Sequence, residues 1–436
     1  MAGPLFPVVE RYLDNGLRVV VNTDHAVPAV AVNVMYGVGS RNDPVGHTGF
    51  AHLFEHLMFQ GSANVRAGEH ASSVEGVGGF YNGTTSFDVT TYYETVPDGA
   101  LDLALWLEAD RMGGLLAALT QENLDNQRDV VKNERRQNYD NVPYGTAYER
   151  LFRLTLPASH PYHHLPIGSM ADLDAATRED CEDFFSAHYV PNNAVLSIVG
   201  DVEPDAAFAA ADRYLGTVPE RPAPPAPPDG TAVRLPGDAE ETVDEPVPSA
   251  AVYAAYLLPP DGSPEVEAAA LLSRVLGAGR NSRLYRRLIR TDQLARQAWA
   301  SVWRLIGGVS VGIVGALARQ GTSLDELRTA IDEEVASMAQ GPTPAELETA
   351  KAMSRRGWLG GLGGYGSRAD WISRFALLHG DPGMVNGFEE RIEAVTAEQI
   401  AALAAERLVP ENRAVLVYPN AAGPGPARDG REGDGR

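Results

Sequence analysis

The chain contains one cysteine, Cys181, in 436 residues. No intrachain disulfide can form, so nothing in the sequence requires an oxidising compartment. No apolar run approaches the ~20 residues of a membrane-spanning helix, and no membrane association is expected. Residues 1–22 lack a basic segment followed by an apolar one, so no signal peptide is expected and the location reads as cytoplasmic. Basic residues are scarce too: 36 Lys and Arg stand against 58 Asp and Glu, a formal net charge of −22. An acidic surface repels a phosphate backbone, which argues against nucleic acid as a partner.

What is present is apolar material, 44% of residues, in a chain too long for one ordinary core. The proline-dense stretch PERPAPPAPPDG favours an extended conformation and builds no core. It places a linker at 218–232 between domains at 1–217 and 233–420. Residues 421–436 have no apolar period and read as a disordered tail.

The two halves repeat each other. DLDAATREDCEDFFSAHYVPNNAVLSIV, at 172–199, matches RIEAVTAEQIAALAAERLVPENRAVLVY, at 391–418. An offset of 219 brings Thr177 onto Thr396, Pro191 onto Pro410 and Asn193 onto Asn412. Each copy reads as a helix begun by a threonine N-cap, a Pro-Asn turn and a buried strand. Valine-rich strands mixed with amphipathic helices predict a duplicated α+β domain, each copy a mixed or antiparallel sheet with helices on one face.

Histidine is also sparse, at 10 residues, yet two of them lie four apart in GFAHLFEHLMFQGS. On a helix, His52 and His56 project from one face a turn apart, with Glu55 beside it. The bland alternative is a helix with two ordinary histidines. Two imidazoles at this spacing can share a zinc ion, and a catalytic zinc takes a third protein ligand while leaving one position open. That ligand can be Cys, His, Asp or Glu from elsewhere. The corresponding helix of the second half, in VEAAALLSRVLGAG, has no histidine. TQENLDNQRDVVKNERRQN predicts a helix with Thr120 as N-cap. Glu134 lies on it, followed by Arg135 and Arg136, which by default makes it a solvated ion-pair position.

HLFEH is an inverted H-x-x-E-H motif. With Glu134, and with FYNGTTSFDVTTYYETVP, RDVVKNERRQ, HPYHHLPIGS and HYVPNNAVLSIVGDV, the chain resembles the insulinase/pitrilysin family of zinc peptidases over nearly its whole length. The likeness is to small bacterial two-domain members and to the β subunit of mitochondrial processing peptidase. It implies Zn²⁺ held by His52, His56 and Glu134, with Glu55 as the general base that activates water for peptide hydrolysis. It also implies that peptide pairs with an edge strand near Asn82, Gly83, Thr84 and Thr85. Two departures stand out. Family members often carry a glutamate seven residues before the third ligand, where this chain has Gln127, which cannot supply the charge. An Arg and Tyr seven apart in the second half are replaced by Ile289 and Arg296. The expected remedy is a homologous, metal-free partner subunit carrying that pair in a clam-shell heterodimer, with a homodimer as the other possibility. The alternative function is a non-catalytic structural or assembly subunit of the same fold.

Three further features carry weaker expectations. His160, His163 and His164 in SHPYHHLP are expected to pack a loop rather than bind metal. WLGGLGGYGS reads as a flexible lining loop, and LGAGRNSRLY as a possible substrate-binding glycine loop.

Overall fold

Two sheets organise the chain in the computed structural model, which describes residues 4–226, 230, 233, 235 and 239–419. The first contains β1 (Val9–Tyr12), β2 (Arg18–Thr23), β3 (Ala29–Tyr36), β4 (Phe80–Thr85), β5 (Thr90–Pro97) and β6 (Ala194–Gly200), in the order β1-β2-β6-β3-β5-β4. The second contains β7 (Ala239–Thr242), β8 (Ala251–Leu258), β9 (Ala295–Trp303), β10 (Ser310–Ala318) and β11 (Arg413–Tyr418), in the order β7-β11-β8-β10-β9. Without β1 the two orders are the same, and so are the directions. The β2–β6 and β7–β11 pairs are parallel, and every other pair is antiparallel. The duplication and the mixed α+β class are therefore as the sequence implies.

The repeated segments fold alike down to single hydrogen bonds. Thr177 and Thr396 each cap a helix, accepting from the backbone N–H of Asp180 and Gln399. Asn193 Nδ2 donates to the carbonyl of His188 at 2.8 Å, and Asn412 Nδ2 to that of Arg407 at 2.7 Å. In both copies the asparagine after the Pro turn satisfies an orphan carbonyl at the end of the preceding helix, which fixes the angle at which the last strand enters its sheet.

Each sheet packs its own domain's helices on one face, and the reverse face carries a helix from the other domain. Ala147–Thr155 lies on β8 and β11; Tyr365–His379 lies on β3 and β6. These two helices are themselves related by the offset of 219, so the exchange is reciprocal. It explains why β3, β6, β8 and β10 are buried almost throughout and carry near-continuous apolar runs. Polar bonds hold the exchanged helices. Arg150 pairs with Glu241 at 2.5 Å and Glu245 at 2.9 Å. Arg368 reaches Asp24 at 2.8 Å, and Ser373 Oγ bonds Ser197 Oγ at 2.8 Å.

WLGGLGGYGS is not a loop. Trp358–Leu362 finish the Pro344–Leu362 helix, and the next helix begins at Tyr365. Trp358 and Leu362 are buried in the apolar cluster that the Tyr365–His379 helix makes with the first sheet, and that packing outweighs the poor helix propensity of the glycines. Part of the proposed linker, at 227–229 and 231–232, and the tail at 421–436 lie outside the described residues.

Candidate metal centre

The helix Phe50–Leu57 begins at Gly49, whose φ of 95° is left-handed and whose missing Cβ avoids the Ile167 carbonyl. Glycine has no side chain to cap the helix, and Asp43 does so instead. Its carboxylate accepts from the N–H of Gly49 at 2.7 Å and of Ala51 at 2.9 Å. His164 touches the same carboxylate at 3.1 Å. Leu53, Phe54 and Leu57 bury one side of the helix, which turns His52 and Glu55 towards a cleft of about 660 Å³ between the domains, with the His56 ring beside that of His52.

The helix Gln121–Arg135 crosses beside it. Thr120 caps its start, accepting from the N–H of Asn123 at 3.1 Å. Leu124, Gln127 and Val131 are buried, and the same face carries Glu134 to the histidines. Glu134 Oε2 lies 3.3 Å from His56 Nε2 and 3.6 Å from His52 Nε2. The donor atoms of the three residues all lie within 4.8 Å of one another, the one such cluster of three or more metal-ligating residues among the described residues. The default surface role for Glu134 fails on a direct observation. Arg135 pairs with Glu149 and Asp140, and Arg136 bonds Asn133, so neither arginine takes Glu134 as its partner.

The donor set fits a zinc ion. Burial lowers the His52 pKa to about 4, opposed by the Glu134 charge, so this imidazole is neutral and available as a ligand at neutral pH. The hydrogen bond from His56 holds the Glu134 carboxyl below the usual carboxylate range, against its own desolvation. Burial pushes Glu55 up, while the Thr85 hydroxyl and N–H bond it and pull the other way. A half-buried carboxylate of raised proton affinity beside a ligand cluster is suited to taking and returning a proton.

The other expected residues sort clearly. Asn82, Gly83, Thr84 and Thr85 lie on β4, the edge of the first sheet, and Thr84 and Thr85 line the cleft. Gly83 passes close enough to the metal helix that a Cβ would stand 3.1 Å from Glu55 Cγ and 3.2 Å from Phe59. Gln127 is buried two turns before Glu134 and bonds neither imidazole. Ile289 packs in the second domain, Arg296 is exposed, and neither lines the cleft. His160, His163 and His164 bond the carbonyls of Gly230, Leu156 and Ser40, which is loop packing as expected. Gly277, in LGAGRNSRLY, lets the Val266–Gly277 helix press against the Ala300 backbone of β9. Sequence reasoning missed Asp43, whose signal was the acid a few residues before a glycine N-cap. It also missed Arg374, which reaches the cleft from the exchanged helix.

Known proteins resemble the chain over most of its length. Residues 18–154 match the family model Insulinase (Peptidase family M16), and residues 175–354 match Peptidase M16 inactive domain. A protein named zinc protease PqqE from Helicobacter pylori is 35% identical over 66% of this chain and 65% of that protein. An uncharacterized zinc protease of Mycobacterium leprae is 30% identical over 94% of this chain and 91% of its own length. The crystal structure of a protease from Helicobacter pylori superposes with a TM-score of 0.89 at 29% identity, covering 95% of this chain and 99% of that one. The chain belongs to the insulinase family of peptidases, M16, with the H-x-x-E-H helix in its first domain and none in its second.

Proposed function

We propose that the chain is a zinc-dependent endopeptidase hydrolysing peptides or unfolded segments. Residues 1–217 form its catalytic domain and 233–420 a metal-free repeat. The observation that carries this is the convergence of His52, His56 and Glu134, donor atoms within 4.8 Å, with Glu55 on the same helix. His52, His56 and Glu134 would hold the zinc. When bound, the ion supplies Lewis acidity at the scissile carbonyl and makes water acidic enough to act as a nucleophile near neutral pH. Glu55 takes the proton from water and returns it to the leaving amine; no protein nucleophile is required. The free edge of β4 at Asn82–Thr85 accepts the peptide as an added strand, which draws its backbone past Glu55.

The reading includes a partner. Ile289 and Arg296 leave the cleft without the Arg/Tyr pair, so a homologous metal-free subunit supplies it in a clam-shell heterodimer, or a second copy closes the same dimer. We place the protein in the cytoplasm, since its one cysteine, Cys181, is buried and calls for no oxidising compartment. The alternative, a non-catalytic assembly subunit of the same fold, has the missing pair in its favour. Purified chain, alone and with a co-expressed homologue, should cleave an unstructured protein such as casein, and a zinc chelator should stop it. Chelator-insensitive cleavage, or none from either preparation, would overturn the peptidase reading.

A further inference from the structure

Arg374 lies one turn from the end of the Tyr365–His379 helix, the element that the second domain lends to the first sheet. It lines the metal cleft and also an adjoining cavity of about 680 Å³ walled by Phe80, Tyr93, Trp358 and Trp371. Thr84 of β4 borders both spaces, so a peptide lying along β4 passes this arginine. The helix beneath it is fixed. Ile372 and Ser373 are fully buried, and Phe375 nearly so.

The cleft's other lining arginine is occupied, and so is Arg41 nearby. Arg304 pairs with Asp261 at 2.6 Å and with Glu267 at 3.3 Å. Arg41 pairs with Asp88 at 3.3 Å. Arg374 makes no hydrogen bond and no ion pair among the described residues. Asp370 stands four residues earlier on the same helix, a spacing that ordinarily gives an ion pair, yet none forms. Asp88 is already held by Arg41, the Tyr162 hydroxyl at 2.5 Å and the N–H of Ile306. Both acids feel the arginine's charge at longer range. Nor does the fold demand an arginine here. The position 219 residues earlier on the reciprocal helix is Thr155, whose hydroxyl bonds its own helix at Leu151.

A half-buried guanidinium on a rigid element, with its fork of donors unused, is built to receive a planar oxyanion. We propose that Arg374 is the substrate-binding residue that selects peptides presenting a carboxylate beside the scissile segment, from an acidic side chain or from the peptide's C-terminus. This rests on the peptidase reading and names its substrate class. It also puts a cation in the cleft of a chain whose Ile289 and Arg296 do not reach it.

Four randomised decapeptide pools test this. One lacks Asp and Glu and ends in an amide; the others restore acidic side chains, the free C-terminus, or both. With the zinc-loaded chain, at least one carboxylate pool should be cleaved with kcat/KM ~10-fold above the neutral pool, the difference lying in KM. The responding pool identifies the source. Arg374→Gln should bring the ratio to about one, Arg374→Lys should keep part of it, and Arg374→Glu should reverse it, each with the wild-type melting midpoint. Equal cleavage of all pools by the wild type, or a preference that survives Arg374→Gln, would overturn the proposal and leave the peptidase reading intact. If no pool is cleaved by the chain alone or with its co-expressed homologue, the peptidase reading fails. Retention of the pools by zinc-loaded Glu55→Gln then decides this one: equal retention refutes it, and selective retention that Arg374→Gln abolishes sustains it.

Discussion

The two domains share one strand order, one N-capping scheme and one pair of exchanged helices, yet differ at the helix beside the edge strand. In the first domain that helix carries His52, Glu55 and His56. The same offset of 219 that aligns the caps puts Leu271, Arg274 and Val275 there in the second, and Met353 at the place of Glu134. Leu271 and Val275 are buried, and Met353 lines a small cavity with Arg274 and Val275. His52, His56 and Glu134 are matched by apolar or soft side chains, and Glu55 is matched by a cation. The fold therefore imposes none of these four side chains. They are additions to one copy of a scaffold that holds together equally well without them.

The largest effect expected from this contrast is on the base. Glu55→Gln should lower kcat by ~10²–10⁴ while the metal stays bound, because a carboxamide cannot take a proton. Arg274→Gln, its counterpart, should leave kcat unchanged. Steady-state kinetics with metal analysis of both variants checks the pair, and equal losses would mean the domains are not divided as described.

Next comes Gly83→Ala. The added methyl meets Glu55 and Phe59 on one side and Tyr92 on the other, so it moves the base or the edge strand. A fall in kcat of ~10-fold or more is expected, since small misplacements at a reacting centre are costly. An unaltered kcat would show that Glu55 does not need its present position.

A smaller effect, shared by both copies, concerns stability. Asn193→Ala removes a hydrogen bond to a helix-terminal carbonyl, and Asn412→Ala removes the equivalent bond and a second to the Leu257 carbonyl, so each should cost ~1 kcal/mol or more by denaturant melts. A loss confined to one copy would break the structural equivalence of the repeats.

The last is a pH dependence expected at one copy of the repeat only. His188 is buried, and desolvation lowers its pKa to about 4. The unfolded chain takes up a proton near pH 6.5 and the folded chain does not, so this contribution is complete above that pH. It should be lost between about 6.5 and 4, on the order of 1 kcal/mol per pH unit. The equivalent place in the second copy holds Arg407 and no histidine. Replacing His188 with phenylalanine should make the melting-point profile less steep across that window, the remaining slope coming from the other buried histidines.

Much of this was legible in the sequence because it is written locally. Threonine caps, a Pro-Asn turn and H-x-x-E-H each fit inside a few residues, and the repeat offset could be read by eye. Glu134 was not legible as a ligand from its helix. Only the third dimension shows that Arg135 and Arg136 turn to Glu149, Asp140 and Asn133. The exchanged helices were hidden for a related reason: an apolar stripe says that a helix is buried, not against whose sheet. Arg374 inherits that obscurity, since its place in the cleft depends entirely on the exchange. WLGGLGGYGS misled because glycine content argues for a loop only until tertiary packing is counted.

The division of labour between the domains is tested most directly by zinc titration of the metal-free full-length chain, followed calorimetrically. One equivalent should bind to the wild type and to Met353→Ala, with that binding abolished or weakened by orders of magnitude in Glu134→Ala. Two equivalents of comparable affinity, or binding that Glu134→Ala leaves intact, would contradict a single centre built by His52, His56 and Glu134.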